Sequence, residues 1–521
     1  MNNRPLCALL LLSATVHAQS PGEDAFRSAA DWTVQVRTSV QRPFIQDEQG
    51  SWDGAGMLVD ASRGWVLTNA HVAGYSYGKV TIAFRDGKAV AAERIYVDPH
   101  LDLAVLGFDP RARRTMTSVP SLDCRSTPPV GHPVGAFGHP WGFRFTGTRG
   151  ITSAVTTRLG ANMLQTDAPI NEGNSGGPLL SLETGQVVGI NTAKIKEESV
   201  EGLSFAVPMH YACTIIELLR QGRDPSPPAR LVDFAVDVND EQTMTVARSR
   251  LPAGTLDLRI GDEIIALASP RRDISTESDL VDALRGHLDA VSLVVARDGK
   301  EVAVQGHWPA ADKVTERRGL WVSGALIAEA EPLTGGLIAG APELMIHYVS
   351  PGSEAEAAGV VAYDLLMSAE RTAVDSLDAL LQLAKRAAAA GHPLELVLLR
   401  LASEMKEDLF VHQQRALFVT ELETVGFDAK HRGQGTDDRL GEEDAHDAED
   451  AAHQDGRRIL DVHVLDEEED HGQERRPGSQ LEVARKEFGR CDQHQQVEAE
   501  NEPLTVGHLA YRCGPGATRS P

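Results

Sequence analysis

The chain has 521 residues, with 50 Lys+Arg against 75 Asp+Glu, a formal net charge of −25 and a hydrophobic fraction of 42%. Such acidity excludes non-specific nucleic-acid binding, which needs clustered cations to displace counterions, and the apolar fraction excludes global disorder. Five cysteines are too few for a disulfide scaffold or a Cys-rich zinc array, and no apolar run approaches the roughly 20 residues of a membrane span.

Residues 1–18 read as a secretory signal. Arg4 supplies the positive start, Leu6 to Val16 the apolar stretch, and Val16-His17-Ala18 a cleavage site before Gln19. A soluble, exported protein of the periplasm or another extracytoplasmic space is expected. Cys124, Cys213, Cys491 and Cys513 then remain; four cysteines allow three connectivities, and their spacing selects none.

From residue 30 to about 208, short β-type runs recur between Gly, Pro, Asn and Asp: Thr33–Val36, Ala55–Val59, Trp65–Thr68, Val80–Phe84, Leu103–Phe108, Gly150–Val155, Gln186–Asn191 and Leu203–Val207. Many short strands predict an all-β barrel or sandwich. Pro208 opens a helix with Tyr211, Ile215, Leu218 and Leu219 on one face, ending at Gly222. The segment 223–228, RDPSPP, is a linker. Two similar segments follow, each with the order strand, turn, Asp-apolar-apolar, helix, strand, ending near an Arg. One contains Asp262 and a helix near Glu277–Leu288. The other contains Asp364 and a helix near Ser376–Ala390. They predict a duplicated α/β module. Residues 401–521 hold 28 acidic and 14 basic residues and 8 of the 18 histidines. That composition predicts a disordered acidic tail rather than a metal site, since no histidine pair has ligand spacing.

Three motifs carry chemistry. Thr68-Asn-Ala-His71-Val72 follows a strand. Leu101-Asp102-Leu103-Ala-Val105-Leu106 sets one acid in an apolar run. Gly173-Asn174-Ser175-Gly176-Gly177-Pro178 is a Gly-rich turn around a serine. A serine hydroxyl is a weak nucleophile and needs a base. Neutral imidazole can take its proton, and a carboxylate fixes the imidazole tautomer. The backbone N–H groups of Gly173 and Ser175, flanking Asn174, would form the oxyanion hole. The serine also fits the Gly-x-Ser-x-Gly elbow of α/β-hydrolases. That fold requires the order Ser, Asp, His, whereas here the acid and base lie upstream, so the chymotrypsin-type order is favoured. Without a Gly-rich loop followed by Lys, nucleotide use is not expected.

These motifs, with Gly138-His-Pro140, Thr166-Asp-Ala-Pro-Ile-Asn-Glu-Gly-Asn-Ser175, Val188-Gly-Ile-Asn191-Thr and Phe205-Ala-Val-Pro208, resemble the HtrA/Deg (protease Do) serine proteases. The resemblance implies an all-β, chymotrypsin-like double β-barrel over residues 26–222. PDZ-like α/β domains would occupy 229–308 and 318–400, ahead of the 401–521 tail. It implies an ATP-independent endopeptidase of protein quality control that cleaves unfolded or damaged polypeptides without a cofactor, with His71 as base, Asp102 as its orienter and Ser175 as nucleophile. A non-catalytic chaperone or peptide sensor on a locked-off protease scaffold is the alternative. The resemblance further implies a homo-oligomer, commonly a trimer, and a switch at the Glu172–Gly173 peptide. Ile170 and Ile195 would line an apolar S1 pocket, beside Pro169 and with Lys194 in the facing wall. Gly319-Leu320-Trp321-Val322 would form the carboxylate loop of the second PDZ-like domain, gripping peptide C-termini. The first domain has no Gly in the corresponding segment, Arg230–Val236. Residues 40–53 form a short connection where some relatives carry a long assembly loop.

Overall fold

The computed structural model describes residues 21–113, 118–125, 127–139, 145–156, 162–194, 203–237, 240–330, 342–401 and 410–426. The expected signal at 1–18 and most of the expected tail lie outside them. Alternation builds the first strand: Val34, Val36 and Val40 are fully buried while Arg37 faces solvent, the period of two that leaves one face of a strand for the core. Six antiparallel strands close a barrel: β1 (Thr33–Val40), β2 (Gly50–Asp60), β3 (Trp65–Thr68), β4 (Lys79–Ala83), β5 (Ala89–Asp98) and β6 (Leu103–Gly107), in the order β1-β2-β3-β6-β5-β4. A second barrel has the order β10-β11-β12-β9-β8-β7, from β7 (Pro133–Gly138), β8 (Thr146–Thr156), β9 (Met163–Thr166), β10 (Pro178–Ser181), β11 (Val187–Lys194) and β12 (Ser204–Pro208). This is the chymotrypsin-like double barrel, and closure removes the open edges that a sheet would expose.

Two helices finish this unit. Helix α1 (Pro21–Trp32) lays Phe26 on Phe137 of β7, ring centroids 5.9 Å apart. After the short helix α2 (Ala70–Ala73), the next is α3 (Met209–Arg220), which follows β12 and buries Tyr211, Ala212, Ile215 and Ile216. A disulfide joins its Cys213 to Cys124, 89 positions upstream. Sequence spacing alone left that pairing open. Cross-linking a loop of this length limits the unfolded chain by about 4 kcal/mol. Replacing Cys213 by Ser should therefore lower the denaturation midpoint as strongly as reductant lowers that of the unmodified protein. Equal midpoints with and without reductant would show that the bond contributes nothing.

The two following modules each wrap a sheet around one main helix. The first holds β13 (Val232–Asp237), β14 (Asp240–Ser249), β15 (Glu263–Ala268), β16 (Arg271–Asp273), α4 (Glu277–Leu284), β17 (Val291–Arg297) and β18 (Lys300–Gly306). In the second are β19 (Arg318–Val322), β20 (Ala325–Glu329), β21 (Leu344–Val349), α5 (Glu354–Ala357), β22 (Leu365–Ala369), β23 (Thr372–Ala373), α6 (Leu377–Ala390) and β24 (Leu394–Leu401). Their kinship is visible in one repeated contact. Arg297 grips Asp262 through two bonds of 2.7 Å, and Arg400 grips Asp364 through two of 2.6 Å. Side chains cap both main helices: Thr276 accepts from Asp279 N–H and Ser376 from Ala379 N–H, satisfying donors that a helix start leaves free.

The expected tail begins too early. Residues 410–417 form β25, paired along β24, and residues 422–426 form β26, paired with β19. The sheet order is β25-β24-β22-β21-β20-β19-β26. Leu417 and Val425 are buried, so these short apolar runs belong to the second module; averaging over 401–521 dilutes them.

The first module is anchored to the first barrel. Helix α4 stops at Leu284 because Arg285 turns extended, φ −55° and ψ 130°. Its guanidinium enters the barrel side and lies 2.6 Å from the Asp98 carboxylate, both side chains fully buried. This closest approach is a charge contact without hydrogen-bond alignment. Aligned bonds run from Arg285 Nη1 to Tyr96 Oη (3.1 Å) and to the Pro225 carbonyl (2.5 Å).

Candidate active site

The first barrel supplies an imidazole and a carboxylate. His71 sits on the one-turn helix α2 (Ala70–Ala73), in the β3–β4 connection. Asp102 lies in the β5–β6 connection with φ 53°, a left-handed geometry that costs a non-Gly residue about 1 kcal/mol or more. Three contacts from Asn69 and His71 help to hold it there. Its Oδ1 accepts from His71 N–H (3.0 Å), its Oδ2 from His71 Nδ1–H (2.8 Å), and its carbonyl from Asn69 Nδ2 (2.8 Å). With Nδ1 donating, Nε2 of the neutral ring is the free acceptor.

The second barrel supplies the serine, on the connection from β9 to β10. The Ser175 carbonyl accepts from Ala55 N–H at 2.8 Å, tying the turn to β2. Gly176, at φ +84°, is required there: a Cβ would lie 2.1 Å from the Ala55 carbonyl and 2.2 Å from Thr68 Oγ1. Hence the second residue of the Ser-Gly-Gly run exists to let one barrel press on the other.

Thr192 of β11 links the two halves, a residue to which sequence reasoning gave no role although it ends the motif Val188-Gly-Ile-Asn191-Thr. Its Oγ1 donates to Asp102 Oδ2 at 2.5 Å, and its carbonyl accepts from Ser175 Oγ at 3.0 Å. The serine hydroxyl is thus turned to Thr192, and among the described residues no hydrogen bond joins it to His71.

Of the three residues expected around the oxyanion, Asn174 is excluded as a donor, because its N–H is given to the Asn171 carbonyl at 2.9 Å. Gly173, at φ 96°, turns its carbonyl to His139 N–H at 3.1 Å. The N–H groups of Gly173 and Ser175 have no acceptor among the described residues. Ile170 is 3% exposed and packs in the core of the second barrel with Val134, Leu164 and Leu179; Ile195 lies outside the described residues.

Electrostatics raise the proton affinity of His71. Burial opposes charge on His71, but the side chain is 45% exposed, so that opposition is incomplete. The charge and hydrogen bond of Asp102 outweigh it, Asp47 adds to them, and the pKa rises above the ordinary 6.5.

Gly319-Leu320-Trp321-Val322, expected as a carboxylate loop, is not a loop. These residues are strand β19, bonded to β20 on one side and β26 on the other. Ser323 N–H, just beyond it, donates to the Glu421 carbonyl at 2.9 Å.

The trypsin-like peptidase domain family matches residues 54–190. The chain is 33% identical over 290 residues to a "Serine protease Do-like HtrA" of Lactococcus lactis subsp. lactis, covering 48% of this chain and 69% of that one. It is 30% identical over 382 residues to a "Probable periplasmic serine endoprotease DegP-like" of Halomonas elongata, covering 67% and 77%. The solved structure "HtrA-type protease AlgW with tripeptide" is similar at 26% identity with a TM-score of 0.45, covering 56% of this chain and 97% of that one.

Proposed function

Because the chain belongs to the HtrA/Deg (protease Do) family of serine endopeptidases, we propose that it cleaves unfolded or damaged polypeptides outside the cytosol through Ser175, His71 and Asp102. The observation that carries this reading is the shared carboxylate: Asp102 takes the His71 backbone N–H on Oδ1 and the ring Nδ1–H on Oδ2, and the same Oδ2 takes the hydroxyl of Thr192, the resting partner of Ser175. Ser175 Oγ would attack the scissile carbonyl as His71 Nε2 takes its proton. Gly173 and Ser175 N–H groups would receive the oxyanion. The protonated imidazole would then give its proton to the leaving amine, and a water activated at the same Nε2 would release the acyl group. In the resting geometry the hydroxyl is bonded to the Thr192 carbonyl, so attack begins with rotation of the Ser175 side chain. The Cys124–Cys213 bond supports an oxidising, extracytoplasmic setting.

That same resting bond favours a second reading, a non-catalytic chaperone or peptide sensor on a closed protease scaffold. Covalent labelling by a fluorophosphonate separates the two. Labelling should occur at Ser175 and should fall on the acid side with a midpoint above 6.5. The sign follows from the base: His71 accepts a proton only when neutral, and a raised pKa keeps it charged to higher pH. No labelling at any pH supports the sensor; labelling that stays flat from about pH 5 to 8 removes His71 from the mechanism.

A further inference from the structure

A helix of one turn does not persist by itself, so the position of His71 is set by what clamps α2. Asp102 holds its first turn from one side. From the other, Trp52 Nε1 donates to the carbonyls of His71 (3.1 Å) and Val72 (3.0 Å), and Thr38 Oγ1 to that of Val72 (2.7 Å). Arg94 Nε donates to the carbonyls of Ala73 (2.8 Å) and Gly74 (3.0 Å). All these clamps belong to the first barrel or its loops.

One further clamp lies on the β1–β2 connection, residues 41–49, within the short segment singled out over 40–53. Asp47 Oδ2 accepts from Tyr75 N–H at 2.8 Å and Ser76 N–H at 2.7 Å, fixing the chain as it leaves α2. Asp47 N–H in turn donates to the Phe44 carbonyl (3.0 Å), and Phe44 N–H to Ser76 Oγ (2.8 Å). The turn 44–47 is therefore one rigid piece with the exit of the His71 helix.

The outer side of that piece is enclosed by the second PDZ-like module. Phe44 is fully buried among Trp321, Leu326, Ala328 and Val425. The His347 ring stands edge-on to it at 5.4 Å. His347 Nδ1 accepts from Ile45 N–H at 3.2 Å while its Nε2–H donates to the Glu329 carbonyl at 2.9 Å. Arg317 lies over the Phe44 ring at 5.0 Å and bonds Gln46 Oε1 at 2.9 Å.

We propose that Asp47 is a positioning residue for His71, and that the second module holds the catalytic base in register by holding Phe44 and Ile45. This rests on the reading of His71 as base. It gives the module an action on the reaction that needs no peptide bound to it: when the module lets go of Phe44, the exit of α2 loosens and the imidazole loses its alignment.

The test uses the full chain and a fluorogenic peptide, with kcat and KM determined separately across pH, and fluorophosphonate labelling in parallel. Asp47→Ala should lower kcat about 10- to 100-fold with KM little changed, the scale of a roughly 1 Å misplacement. Asp47→Asn keeps an acceptor oxygen and should recover most of that loss. It should also move the acid limb to lower pH, since a negative charge near the imidazole is gone. The other charges facing this region, Asp102, Arg94 and Arg317, are unchanged by it. Phe44→Ala should lower kcat in the same direction, with thermal unfolding recorded to separate it from misfolding. Wild-type kcat in Asp47→Ala together with an unmoved acid limb in Asp47→Asn overturns the proposal, even beside an inactive His71→Ala. If His71→Ala is labelled like the wild type, the catalytic reading falls and takes this one with it.

Discussion

Ser175→Ala will lower kcat on an unfolded substrate such as casein by about six orders of magnitude, the loss seen when one member of a cooperating triad is removed. The fold should barely notice. The hydroxyl makes one hydrogen bond, to the Thr192 carbonyl at 3.0 Å, and a bond of that kind contributes about 1 kcal/mol net. Thr192 keeps its bond to Asp102, and Gly176 keeps the turn pressed on β2. A large activity loss with an unchanged denaturation midpoint is therefore the expected pair of results. His71→Ala should cost nearly as much, and the double substitution little more, because each removes the same step. Casein cleavage that survives Ser175→Ala would refute the assignment.

Arg285→Ala, away from the site, should destabilise the fold by about 3–5 kcal/mol. The reason lies in what is left behind. Asp98 stays fully buried, and among the described residues only Tyr96 Oη–H (2.9 Å) and Leu101 N–H (3.0 Å) donate to its carboxylate. An unpaired buried charge costs more than the pair was worth, so Arg285→Met combined with Asp98→Leu should fall well short of the sum of the two single losses. His100 sharpens the prediction. Burial holds it down at about 4, and Arg285 reinforces that against the pull of Asp98. With Arg285 gone, His100 can take a proton at higher pH and face Asp98, so the penalty should narrow on acidification. Urea unfolding at about pH 8 and 5 measures this; a penalty below about 1 kcal/mol at both would show that the anchor is ornamental. Asp98 also holds Leu101, next to Asp102, so kcat should fall with stability.

The three residues proposed as the triad could be picked out in the sequence because each sits in a short motif whose residue types are demanded by local geometry: His after a strand, Asp in an apolar run, Ser in a Gly-rich turn. The barrel strands with apolar alternation were equally legible. Strand β5 was not, since Ala89 to Glu93 carries small and charged residues whose partners, β4 and β6, decide its conformation. Thr192 and Asp47 escaped for a related reason: an ordinary Thr or Asp gains its role only when a remote loop is folded against it. The disulfide was one of three pairings until folding chose. Gly319–Val322 was misassigned because its second neighbour, β26, comes from a stretch whose average composition signals a solvated tail.

The β19–β26 pairing has a practical side. A version of the chain trimmed at residue 401 would strip β19 of its outer neighbour and leave a naked row of N–H and C=O groups, the kind of surface that recruits any passing extended segment. Such trimmed forms would be sticky, and a pull-down performed with them would catch ligands that the intact molecule, already wearing its own strand there, does not solicit.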